Sequence, residues 1–99
     1  MQEKLMETGW FATPNASKYL QQLCKHFAHK IDVSFDDTHG EAALPPGPAV
    51  LDATEQGLTV QISASDEEGL RHARLIIDDH LKRFAHRENF EAMSWQREG

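Results

Sequence analysis

Residues 23–35 read LCKHFAHKIDVSF, and the spacing of the apolar side chains changes inside that stretch. Up to Lys30 the spacing is three or four. With Ala16, Tyr19 and Leu20 upstream, Leu23, Cys24, Phe27, Ala28 and Ile31 line one face of a helix. That helix is expected over residues 15–30, capped by Asn15 or Ser17. From Ile31 the period falls to two: Ile31, Val33 and Phe35 alternate with Asp32, Ser34 and Asp36, as in a half-buried strand. A helix therefore feeds directly into a strand.

The phrase returns near the end of the chain. Lys25-His26-Phe27-Ala28-His29-Lys30 lies over Lys82-Arg83-Phe84-Ala85-His86-Arg87 at an offset of 57, and each copy ends a helix just ahead of a strand. A duplicated strand-helix-strand unit, with a pseudo-twofold sheet, accounts for the echo; so does convergence on one way of ending a helix. In the second reading the phenylalanine and alanine pack, and the cations complement the open carbonyls of the last turn.

Working outward, TGWFAT at Thr8–Thr13 is an entering strand stopped by Pro14. DDTHGE at Asp36–Glu41 is a turn, Glu41–Leu44 a weak strand, PPGP at Pro45–Pro48 a break, and Ala49–Ala53 another short strand. Leu58, Val60, Ile62 and Ala64 against Thr59, Gln61 and Ser63 give the clearest alternation in the chain. Ser65, with Glu68 three residues on, has capping-box spacing. The helix it opens is expected over 66–86, with a stripe of Leu70, Ala73, Ile76, Ile77, Leu81 and Phe84. A last strand follows, facing inward through either Phe90, Ala92 and Ser94 or Glu91, Met93 and Trp95.

The expected fold is α+β: a mainly antiparallel sheet with both helices on one face, in the order β-α-β-β-β-β-α-β. Its core should include Leu20, Leu23, Phe27, Val33, Ile62, Leu70, Ile77, Leu81 and Phe84. One domain spans residues 1–99, with 1–7 and 97–99 as flexible ends.

A chain of 99 residues has room for one modest core. Its 39% hydrophobic and 26% charged residues are those of an ordinary globular protein. No apolar run approaches the roughly 20 residues that cross a bilayer, and MQEKLMETGW holds no apolar export region, so a cytoplasmic location without membrane association is expected. Cys24 is the single cysteine and has no partner for an internal disulfide. A net charge of -6 argues against nucleic-acid binding, which needs a dense basic surface. The charge is segregated, however: cations gather at Lys25–Lys30 and Lys82–Arg87, acids at Asp36-Asp37, Asp66–Glu68 and Asp78-Asp79.

YLQQLCKHFAHK at Tyr19–Lys30, the aspartate-rich turn with Gly40, the strand LTVQISASD and HLKRFAHRE at His80–Glu88 together resemble the DUF2218 family of small bacterial proteins. The likeness runs from about residue 8 to Trp95. It implies a similar size and fold and carries no catalytic residues to transfer. Some members accompany, or are joined to, siderophore-interacting flavin reductases, which implies a link with iron acquisition and such a reductase as partner. His86 stands where the family more often has an apolar or aromatic residue, which speaks against a ligand there.

Six histidines invite a metal reading, since neutral imidazole is a common ligand. The spacing does not support it. On a helix, Cys24 and His26 point about 160° apart, and His29 lies nearly opposite the apolar face. His80 falls inside its helix's stripe, where a histidine with one satisfied hydrogen bond is the structural reading. Cys24 reads as a small core residue rather than a nucleophile. Adjacent carboxylates in Asp36-Asp37 and Asp78-Asp79 diverge, so a two-carboxylate mechanism is not expected.

Two function classes remain. The first is a binding or interaction module without catalysis, cofactor or metal, dimeric if a sheet edge or face pairs. Its candidate ligand or anion site is Lys25, His26, Lys30, His80, Arg83 and Arg87, provided the two helix ends meet. The second is a metal-handling protein or enzyme using His26, His80, Arg83 and Arg87. Convergence of these side chains on one concave site discriminates between them.

Overall fold

The computed structural model describes residues 4–98. Strand β1 (Leu5–Ala12) leads into helix α1 (Ala16–Phe27), then β2 (Val33–Phe35), β3 (His39–Leu44), β4 (Gly47–Ala53) and β5 (Gly57–Ala64). Helix α2 (Glu67–Phe84), a 3-10 turn at His86–Glu88 and β6 (Ser94–Arg97) complete the chain. The six strands form one antiparallel sheet in the order β2-β3-β4-β5-β1-β6. The expected class and element order are thereby those of the protein.

The clean alternation of β5 marks the centre of the sheet. Leu58, Val60 and Ile62 are fully buried and stand opposite Ala53, Leu51 and Ala49 of β4, making an apolar floor for the helices. On that floor α1 sets Ala16, Leu20, Leu23 and Phe27, and α2 sets Leu70, Ala73, Ile77 and Leu81; the helices also touch one another, so both lie on the same face. Helix α1 approaches β3 so closely that a Cβ on Gly40 would stand 2.8 Å from the Cys24 sulfur. Only glycine leaves that room.

Several expectations need correction. Residues 5–7, read as part of a flexible end, belong to β1, because this strand pairs on both sides, with β5 and with β6. The end at 97–99 likewise places Arg97 in β6, while residues 1–3 and 99 lie outside the described residues. Helix α1 stops at Phe27 rather than Lys30: His29 N–H and Lys30 N–H turn back to the carbonyls of His26 and Phe27, tightening the last turn into a 3-10 form. Consequently Ala28 is exposed, whereas its counterpart Ala85 is buried. The cap of α2 is Asp66 rather than Ser65; its carboxylate accepts from Gly69 N–H at 2.7 Å and adds charge complementarity at the positive helix end. Val33 and Phe84, placed in the core, are half-buried, Val33 because β2 is a short edge strand.

β6 begins only at Ser94; Trp95 in it and Met93 before it face inward as in the second alternative, while Phe90 of the first alternative is buried as well, ahead of the strand. Asp78 of α2 takes hydrogen bonds from Met93 N–H (3.0 Å) and Trp95 Nε1–H (2.9 Å). The sheet itself is not symmetric about the FAH echo. The strands flanking α1, β1 and β2, have three strands between them; β5 and β6, flanking α2, have only β1 between them.

Candidate functional site

The two helices meet at their C-terminal turns. There the rings of His26 and His80 lie 4.6 Å apart, centroid to centroid, at 55°. Phe27 presents its ring to His80 at 5.1 Å, and Phe84 lies 6.3 Å from His26, both edge-on. The echoed phenylalanines thus form the apolar side of this contact, which is why α1 and α2 converge here.

His80 is half-buried, and its Nδ1 bonds to the Ile76 carbonyl at 2.6 Å. A carbonyl oxygen only accepts, so Nδ1 carries a proton, which in the neutral ring leaves the lone pair on Nε2. His26 is exposed, yet it is held below the ordinary imidazole range, first by desolvation and then by His80, Arg83, Lys30 and His29. Those influences identify its neighbours. Of the candidate residues, His80, Arg83 and Lys30 bear on His26, and Lys25, Lys30, Arg83 and Arg87 are all exposed. Chemically, an imidazole with cations acting on it gains a proton more readily once an anion is beside it.

The remaining chemistry lies elsewhere. Cys24 is fully buried and its thiol is pushed up to about 11 by burial, far from a reactive thiolate. His86 Nδ1 bonds to the Arg83 carbonyl at 3.2 Å in an exposed turn. Among the described residues there is no group of three or more His, Cys, Asp or Glu side chains that could hold a metal ion.

Three polar clusters were not legible in the sequence. Glu88 accepts from Thr13 Oγ1 (2.8 Å), Asn15 Nδ2 (3.0 Å) and the Tyr19 hydroxyl, fastening the 3-10 turn to the start of α1. Glu7, 5% exposed, pairs with Arg74 and Arg97. His39, in the supposed turn, begins β3 and bridges Asp52 (2.7 Å) and Glu41 (3.1 Å). The period-2 spacing of Glu7, Gly9 and Phe11 was the one available signal, and it marks Glu7 as inward-facing only if β1 starts ahead of Thr8.

No curated protein matches this chain. The NMR structure of PA4090 from Pseudomonas aeruginosa is similar to it, with a TM-score of 0.76 and 29% sequence identity over 93% of this chain and 95% of that one. A protein family described as an uncharacterized protein conserved in bacteria matches residues 8–96. With that match spanning nearly the whole sheet and both helices, the chain belongs to the DUF2218 family.

Proposed function

We propose that this protein is a small cytoplasmic binding module, without catalysis of its own, that receives an anionic group where the ends of α1 and α2 meet. The observation that carries this reading is the His26–His80 contact, with Arg83 and Lys30 acting on His26. An arriving carboxylate or phosphate meets fixed positive charge from Arg83 and Lys30 and draws a proton onto His26. His80 holds its ring in place through Ile76. The resemblance of the helix-end phrases to proteins that accompany siderophore-interacting flavin reductases suggests iron metabolism as the setting and such a reductase as the partner.

Titration with inorganic phosphate and with citrate, followed by amide chemical shifts, tests the site. Coupled shifts at residues 26–30 and 80–84 are expected; shifts at neither helix end remove the reading. Pull-down from the native host under iron-replete and iron-starved conditions tests the setting, with a siderophore-interacting flavin reductase as the expected partner.

The free Nε2 of His80 beside His26 favours one second reading, a metal-handling or catalytic role using His26, His80, Arg83 and Arg87. Two imidazoles would then need further ligands from a bound molecule. A reproducible equivalent of iron or zinc in protein purified without a tag, lost in His26→Ala with the fold intact, would replace the first reading by this one.

A further inference from the structure

The two helices cover one face of the sheet, and no other described element covers the opposite face. Pairing registers place Ser94, Trp10, Thr59, Asp52 and His39 in a single row across five strands of that open face. Trp10 is 41% exposed. Its six-membered ring lies over Gly57, where a Cβ would clash with the Phe11 carbonyl oxygen and come within 2.6 Å of the indole, so the glycine makes room for both.

The ionisable groups of this face as a whole are mostly of one sign. Glu41, Asp52 and Glu98 point from this face, and Lys4 and His39 are its basic groups among the described residues. Glu98 is held over the sheet by Gln61 Nε2 (2.8 Å) and the Thr8 hydroxyl. The Asp52 and Glu41 side chains are 55% and 67% exposed although both touch His39. The lysines and arginines of the FAH phrases sit in or just after the last turns of the two helices, Lys30 beside Asp32 and, on β3, Ala43.

We infer that the open face of the sheet docks a basic segment of a partner protein, with an arginine or lysine side chain seated on Trp10. The occupant follows from charge. A cation over an indole is attracted by the ring's electron-rich face, and acidic neighbours reinforce it. Asp52 stands two strands from Trp10, about 9–10 Å away, and basic residues at alternate positions of an extended segment recur about every 7 Å, so neighbouring cations reach both. Nucleic acid is disfavoured because its phosphates would meet Glu41, Asp52 and Glu98. A second copy presenting the same face would bring like charges together.

The probe is an acetylated octapeptide of alternating arginine and glycine, titrated into the full chain by NMR, with the glutamate-glycine peptide as control. The expected result is a shift of the Trp10 indole resonance with the arginine peptide alone, weakened by salt. The Trp95 indole, bonded to Asp78 on the other face, should not move. Trp10→Leu should weaken binding roughly five-fold or more. Thr59→Lys, at an outward position beside Trp10, should abolish it and keeps the test valid if Trp10→Leu fails to fold. No binding, shifts confined to the helix ends, or equal binding by Thr59→Lys would overturn the inference. So would Trp10 shifts that depend on protein concentration without peptide, which would mean that a second copy covers the face.

Discussion

Glu7, on the helix side of β1, accepts a hydrogen bond from Arg74 of α2 at 2.7 Å, and its second oxygen accepts one from Arg97 of β6 at 3.1 Å. Arg97 also reaches Glu67 at the start of α2. One buried carboxylate therefore ties an interior strand, the neighbouring edge strand and a helix together. Removing one member of a buried pair costs about 3–5 kcal/mol, and the partial exposure of both arginines reduces that here. Glu7→Ala is expected to lose about 2 kcal/mol in urea denaturation. A change near zero would show the network to be redundant.

The two FAH phenylalanines should differ in cost. Phe27 is 6% exposed and Phe84 only half-buried. Phe27→Ala is expected to cost about 3–5 kcal/mol and Phe84→Ala about half of that, in proportion to burial. Equal losses would contradict the asymmetry of the two helix ends.

His26 and His39 should give stability opposite dependences on pH. His26 is held below the ordinary 6.5, so the unfolded chain binds its proton more readily; its contribution is unpenalised above 6.5 and worsens as pH falls from there through the lowered folded value. His39 is held above 6.5 by Asp52 and Glu41. Its stabilisation is complete below 6.5 and is lost as pH rises through the raised folded value. Stability curves of His26→Gln and His39→Gln should depart from the native protein in opposite directions, with NMR titration of each ring as the direct check.

Tyr19 reports on Glu88. Burial, then the bond to Glu88, pushes its phenol up to about 12. In Glu88→Gln the phenolate absorbance should appear at lower pH, toward the ordinary 10.0, because the charge has gone while burial remains. Glu88→Ala should in addition lose about 1–3 kcal/mol, as three donors lose their shared acceptor. An unmoved Tyr19 titration would show that burial alone sets its ionisation.

The sequence by itself determined the elements. Apolar spacing of three and four from Ala16 to Phe27 and from Leu70 to Leu81, and of two from Leu58 to Ala64, can satisfy backbone hydrogen bonds and bury one face only as two helices and a strand. Local chemistry also placed Phe27 in the core and the basic residues at the helix ends. Tertiary structure decided what pairs with what. The insertion of β1 between β5 and β6 makes Glu7 an interior charge, and no local period carries that information, because the partners Arg74 and Arg97 are 67 and 90 residues away. Likewise Glu88 could be assigned to nearby cations or to Tyr19, 69 residues distant, and only the position of the 3-10 turn selects the second. The meeting of His26 with His80 has the same origin: each helix specifies which of its faces is apolar, while the crossing of the two on a shared sheet sets which turns touch.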